Sequence, residues 1–247
     1  PRRESKVGLG HKGFETFGDP DMDLEEALSR RDFAINSMAF DPETNKLIDP
    51  FNGLQDIEKR IIRHTSEKFI EDPLRVLRGM QLAARLNFRV APDTVGLCRT
   101  MSMTELPQER IFGEWRELLL NGEKPSRGLA FLRECGWVQY FPELEALIGC
   151  KQDREWHPEG DVWDHTLLCM DAFAQERVND DKEDLIVGLA VLCHDLGKPG
   201  TTKVEDGRIR SKGHDVAGEA PTRSFLQGLT HQGDLVKEII PLVSAHL

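Results

Sequence analysis

The sequence predicts a mostly α-helical protein with a small β portion toward its N-terminal end. Three observations carry that expectation. Apolar residues recur at helical spacing from about Asp56 onward. Cap signals punctuate the spacing, among them Asp72-Pro73 and Gly136. Residues 1–22, PRRESKVGLGHKGFETFGDPDM, are by contrast polar and glycine-rich.

Within residues 1–22 the pattern is that of a loop with one edge strand near Phe14–Phe17. Asp23 can cap a helix, and LEEALSRRDFAINSMAF follows it at helical spacing. DPETNKLIDPFNG then reads as a turn, a short strand at Lys46–Ile48 and a second turn. Asp72 and Pro73 start a further helix: the carboxylate caps, and proline lacks an N–H where the first turn has no use for one. Leu74, Leu77, Met80 and Ala84 form its apolar stripe, while Arg75, Arg78 and Arg85 share another face. Helices are expected at 109–120 and at 126–135, the latter stopped by Gly136. Four more are expected near 162–178, 183–196, 216–228 and 234–246. No internal repeat or low-complexity segment interrupts the series.

Hydrophobic residues at 39% and charged residues at 30% give a globular balance. No apolar run approaches the ~18 residues of a membrane span, and the first residues do not resemble a signal peptide. Pro1 in place of an initiator Met is expected of a piece of a longer protein. The five cysteines are odd in number and lack a C-x-x-C pair, as expected of reduced cytoplasmic thiols rather than a disulfide framework. A net charge of -11 argues against a general nucleic-acid coat, since phosphate binding runs on Lys and Arg. The charge is uneven, however. Arg60 to Val90 holds seven Lys/Arg against three Asp/Glu, a stretch suited to phosphates. Gly149 to Leu247 holds 11 against 18, which suits cations.

Six of the eight histidines fall after residue 150. Four of them, His165, His194, His214 and His246, lie in or beside expected helices, and Asp195 follows His194 directly. Neighbours on a helix point about 100° apart, so a His-Asp ligand pair works best at a helix end, where Gly197 lets the chain turn away. Taken singly, each histidine is more readily a core or surface residue. The dyad followed by Gly197-Lys198 tips the set toward metal binding, with Lys198 placed to hold a phosphate. A mixed imidazole and carboxylate set suits Mn, Fe, Ni, Zn or Mg. H…HD…H…H with HDxGK resembles the HD superfamily of metal-dependent phosphohydrolases. That resemblance implies His165, His194 and Asp195 as ligands of a transition metal such as Ni²⁺, Mn²⁺ or Fe²⁺, with His214 and His246 as candidates for the last ligand.

RRDFAIN (30–36), DPFNGLQDI (50–57 and adjoining) and EDPLRVLR (71–78) occur in this order. The series resembles the bacterial tRNA nucleotidyltransferase (CCA-adding) and poly(A) polymerase family, several members of which carry an HD domain. The resemblance implies that Asp72 and Arg75 read the base of CTP or ATP by hydrogen bonds, in place of a template. It implies that Arg78 touches phosphate or base, and that Arg31 and Asp32 meet triphosphate and ribose. Ala34 stands where the family commonly has Thr, and Gln81 where it often has a further Arg. The D-M-D at 21–23 is not the D-x-D metal pair of a polymerase: it directly precedes RRDFAIN, where the family has an acidic linker.

The expected architecture is therefore mostly α. Residues 1–62 are the end of a nucleotidyltransferase α/β head, 63–148 a helical neck binding nucleotide and RNA, and 149–247 an all-α HD domain cut before its last helices. The expected function is addition of nucleotides to a tRNA or other RNA 3′ end. Mg²⁺ would serve the transfer, and its catalytic carboxylates are missing from this sequence. The alternative is that an HD-domain phosphohydrolase, acting on 2′,3′-cyclic phosphate or RNA ends, is the working activity. No membrane partner is expected.

Overall fold

The computed structural model describes residues 2–6, 14–18 and 21–246, with side chains from residue 21 onward. It is mostly helical, with four two-stranded pieces of sheet. The expected edge strand is Phe14–Gly18, and it pairs antiparallel with Arg2–Lys6, which the polar composition had hidden. The rest of the segment 1–20 lies outside the described residues.

The segment after Asp23 departs from the continuous helix expected through Phe40. Asp23 does cap, its Oδ2 accepting the Glu25 and Glu26 N–H groups at 3.1 and 3.3 Å. The helix nevertheless ends at Leu24–Ser29. Asp32 then turns its carboxylate onto the Phe33 N–H at 2.8 Å, and the Ala34 N–H bonds Arg63 O instead of a helical carbonyl. A 3₁₀ turn at Ala34–Asn36 and a strand at Ala39–Asp41 follow. The strand pairs antiparallel with the expected Lys46–Ile48. Local polar competition for backbone donors has overridden the helical pattern.

DPFNG is locked against this turn. Asp49 accepts the Gly53 and Leu54 N–H groups at 2.7 and 2.9 Å and so starts the Gly53–Glu58 helix. A Cβ on Gly53 would lie 2.3 Å from Ala34 O, so the close approach requires glycine. A two-residue parallel pairing of Ile61–Ile62 with Arg89–Val90 closes this end of the molecule.

The Leu74–Leu86 helix is the central element. Leu74, Leu77, Met80 and Ala84 are buried, and it packs on the Gln108–Asn121 and Pro125–Glu134 helices. The latter ends as expected at Gly136, whose φ of 78° is left-handed. The last hundred residues form the Val162–Gln175, Asp181–Cys193, Glu219–Leu229 and Gly233–Ser244 helices. Asp161 and Asp180 cap the first two through the Trp163, Lys182 and Glu183 N–H groups. A small hairpin, Lys203–Glu205 with Arg208–Arg210, interrupts them; no expectation covered it.

A single apolar cluster runs from Phe33 to Val243. Trp115, Phe141 and Phe225 meet edge to face inside it, with centroids 5.0, 5.6 and 6.2 Å apart. Arg177 ties the later helices to the earlier ones by donating to Leu120 O and Gly122 O at the end of the Gln108–Asn121 helix. No helix among the described residues is long and apolar enough to cross a membrane.

The Leu74–Leu86 and Pro125–Glu134 helices cross closely at Gly128, where an added Cβ would sit 2.4 Å from Met80 O and 2.9 Å from Leu118 Cδ1. Gly128→Ala is expected to lower stability by about 1–3 kcal/mol. The measurement is a urea midpoint at unchanged slope; an unshifted midpoint would contradict the close crossing.

Candidate functional site

The arginine face of the Leu74–Leu86 helix borders a cleft of about 900 Å³. Arg31, Asp32, Asp72, Arg75 and Arg78 all line it. Asp32 is buried, 8% exposed, yet fully partnered. Its Oδ2 accepts Arg78 Nε at 2.7 Å, with Arg78 Nη2 at 2.6 Å, while Oδ1 accepts the Phe33 N–H and Asn36 Nδ2. This is a charge-assisted pair between the RRDFAIN turn and the central helix. Arg31 donates to Asn36 O at 2.7 Å and so braces the same turn.

Asp72 performs its capping one residue outside the helix proper. Its Oδ1 accepts the Leu74 N–H at 3.1 Å, and its Oδ2 accepts Arg110 Nη2 at 2.9 Å. Arg75 donates Nη1 to Lys68 O at 2.7 Å and Nη2 to Arg30 O at 2.6 Å. Its cation lies 6.0 Å from the Phe69 ring centroid. The first turn of the helix is thus pinned from three directions.

Arg110 and Glu114 were not anticipated. Their spacing, with Glu117, puts three charged groups on one face of the Gln108–Asn121 helix, and that signal was present in ERIFGEWRE. Glu114 is buried, and burial lifts its carboxyl to about 7 against the pull of Arg78, whose Nη1 is 4.0 Å away.

The later helices bring together His165, His194, Asp195, His214 and His246. His194 Nε2 and His165 Nε2 lie 3.2 and 3.8 Å from Asp195 Oδ2. His214 Nε2 and His246 Nε2 lie 3.4 and 3.9 Å from Oδ1. Each ring is oriented by its other nitrogen. Nδ1 of His194, His214 and His246 donates to the carbonyls of Val191, Ser211 and Val243 at 2.6, 2.7 and 2.6 Å. His165 Nδ1 lies 2.6 Å from Glu159 Oε1, which also meets His157. With every Nδ1 so occupied, the four Nε2 atoms converge on one carboxylate.

Asp195 is 1% exposed, and no aligned hydrogen bond reaches either oxygen. Burial works against its charge, but the His194 and His214 imidazoles hold it well below the usual carboxylate range. Burial likewise works against a charged His194, yet Asp195 raises it to about 10. A buried carboxylate ringed by four imidazole Nε2 atoms is a donor set that fits a divalent cation.

Lys198 departs from its expected role. Its Nζ is buried, donating to Gln152 Oε1 at 2.6 Å and lying 2.8 Å from Asp195 Oδ2, so it holds the site together and is not open to a phosphate. Gly197 also acts differently from expectation. Its backbone is right-handed helical, so no sharp exit is involved. A Cβ there would lie 2.0 Å from His214 O, so its role is to let the His214 segment approach. Glu159, Gln152 and Cys169, whose Sγ is 3.4 Å from His165 Nε2, were missed. Of these only Cys169 carried a signal, its four-residue spacing from His165.

Residues 3–63 match the family described as "Poly A polymerase head domain", and residues 87–148 match "Probable RNA and SrmB- binding site of polymerase A". The multifunctional CCA protein of Laribacter hongkongensis (strain HLHK9) is 41% identical over 233 residues, 92% of this chain and 55% of that protein. Its counterpart in Vibrio vulnificus (strain YJ016) is 43% identical over 212 residues, 83% and 50% of the two chains. The chain therefore spans about half the length of these relatives. Among solved structures, a tRNA-processing enzyme (apo form 2) superposes with a TM-score of 0.57 at 22% identity, covering 99% of this chain and 63% of that one. A CCA-adding enzyme in complex with CTP superposes with a TM-score of 0.55 at 18% identity, covering 90% and 47%. At such identities the likeness is one of fold.

The Glu114 environment sets a pH dependence. Its folded value of about 7 lies above the ordinary 4.5, so between these the folded state keeps a proton the unfolded state has released. Stability is then lost as pH rises through this window and levels off above it. Arg78, Arg110, Asp32 and Glu117 are the charged groups around it. Relative to Glu114→Gln, the native protein is expected to lose about 1–3 kcal/mol from pH 4.5 to 7, read by denaturation at several pH values. Parallel profiles for the two proteins would overturn the assignment.

Proposed function

We propose, on the premise that the chain belongs to the family of CCA-adding enzymes and poly A polymerases, that its arginine cleft selects and holds the CTP or ATP used to extend a tRNA or other RNA 3′ end. The observation that carries this reading is the pinned pair of Asp72 and Arg75 at the cleft wall. Protein partners fix both groups, but they do not exhaust them. A carboxylate has about four lone-pair sites and a guanidinium five N–H donors. Cytosine and adenine each present an amino donor beside a ring acceptor, a pattern complementary to Asp next to Arg. Arg31, Arg78 and Arg85 supply positive charge for the triphosphate. In this reading residues 1–62 end a head, 63–148 form a neck and 149–247 an HD domain.

Transfer itself calls for carboxylates that hold two Mg²⁺ ions. The acids of this cleft are unsuited to holding them, because Asp32 and Asp72 are each taken by an arginine and Glu114 is buried. The cleft therefore binds and selects without carrying the chemistry. Calorimetric titration of the 247-residue chain with ATP and CTP is expected to show binding that falls about tenfold in Asp72→Ala and in Arg110→Ala. No CMP or AMP is expected to enter tRNA. Unchanged affinity in both variants would overturn the assignment of the cleft, and incorporation would overturn its division of labour.

A second reading concerns the histidine cluster, and the convergence of four Nε2 atoms on the buried Asp195 favours it. His165, His194, His214, His246 and Asp195 would hold a divalent metal such as Ni²⁺, Mn²⁺ or Fe²⁺ as an HD-type phosphohydrolase site. When bound, such an ion supplies Lewis acidity toward a phosphoryl oxygen and acidifies water. Glu159 and the carbonyls of Val191, Ser211 and Val243 keep the rings in the ligating tautomer, and Lys198 holds the carboxylate in place. Ni²⁺ or Mn²⁺ binding is expected to vanish in His194→Ala and to weaken about 10–100-fold in Glu159→Gln. Hydrolysis of a 2′,3′-cyclic nucleotide should disappear with His194. Protein that takes up neither metal would sink this reading.

A further inference from the structure

Cys169 lies one turn after His165 on the Val162–Gln175 helix, so the two share a face. Donor atoms of His165, Cys169 and His194 all fall within 4.8 Å of one another. Asp195 Oδ2 lies beside this set, 3.2 Å from His194 Nε2 and 3.8 Å from His165 Nε2, and groups instead with His214 and His246. Cys169 Sγ is 3.4 Å from His165 Nε2.

These spacings have a chemical meaning. A tetrahedral ion with metal–sulfur bonds of ~2.3 Å and metal–nitrogen bonds of ~2.0–2.1 Å needs donor–donor edges of roughly 3.3–3.6 Å. The Cys169 Sγ–His165 Nε2 edge of 3.4 Å falls in that range. Orientation agrees as well. Glu159 and Val191 O occupy the Nδ1 atoms of His165 and His194, which leaves both Nε2 lone pairs facing inward. His214 and His246 stand on Asp195 Oδ1 and group with that residue, so the sulfur side is a three-donor set of its own.

We propose that Cys169 is a thiolate ligand of a metal held with His165 and His194, and that this sulfur turns the site toward thiophilic ions, Zn²⁺ or Co²⁺, over Mn²⁺ and Mg²⁺. The proposal rests on the reading of the histidine cluster as a metal site. Without a metal, the same contact is only a thiol–imidazole hydrogen bond.

Titration of the whole chain with Co²⁺ tests it. A thiolate-to-cobalt charge-transfer band in the near ultraviolet is expected, and its loss in Cys169→Ser with unchanged far-ultraviolet circular dichroism. Zn²⁺ affinity, measured by competition with a chromophoric chelator, is expected to fall at least about tenfold in that variant, while Mn²⁺ affinity changes little. Co²⁺ binding without the band, a band that survives in Cys169→Ser, or equal Zn²⁺ affinity in both proteins would overturn the role of Cys169 and leave the cluster's metal reading standing. Failure of the native chain to bind Co²⁺, Zn²⁺ or Mn²⁺ would overturn both.

Discussion

A carboxylate withdrawn from water must find cations or donors, and two of the buried carboxylates, Asp32 and Asp195, anchor the two candidate sites. Much of the local architecture follows from how each is compensated. Asp32 breaks the helix that its surroundings would otherwise continue and recruits the Phe33 N–H, Asn36 and Arg78. The RRDFAIN turn is thereby fastened to the central helix, and the wall of the arginine cleft is the seam between them. Asp195 meets the opposite situation. Its neighbours are mostly imidazoles with their hydrogens turned outward, and one ammonium. Such a group asks for a cation or a proton.

The two compensations have different functional characters. Around Asp32 the protein has closed its own circuit, which makes a rigid frame on which Asp72 and Arg75 are held with donors and acceptors to spare. Around Asp195 the circuit is left open and the frame is supplied one layer further out, by Glu159, by three main-chain carbonyls and by Lys198. Around Asp195, rigidity comes from groups set behind the donor atoms.

Much of this was legible in the sequence because it is local. The stripe of Leu74, Leu77, Met80 and Ala84, the cap at Asp72 and the stop at Gly136 depend on neighbours within a turn or two. The histidine pattern was legible through its spacing and through its family resemblance. What escaped depends on contacts between distant segments. The helix break after Ser29 needs Arg63 O and Arg78, from elsewhere in the chain. Lys198 looked available until Gln152 and Asp195 were seen to enclose it. Gly197 looked like a hinge, whereas its purpose is to admit a carbonyl seventeen positions later. Arg110 and Glu114 lay on a legible face, but nothing local announced what that face would meet.

The aromatic meeting of Trp115, Phe141 and Phe225, with Arg177 clamped onto the end of a neighbouring helix, joins the two ends through one apolar interior. A continuous interior of this kind couples opening of one end to opening of the other. A nucleotide held at one end would then raise the free energy of unfolding for the other by mass action, and a metal would do the same in reverse. The two candidate sites would share a thermodynamic reservoir even though no residue belongs to both.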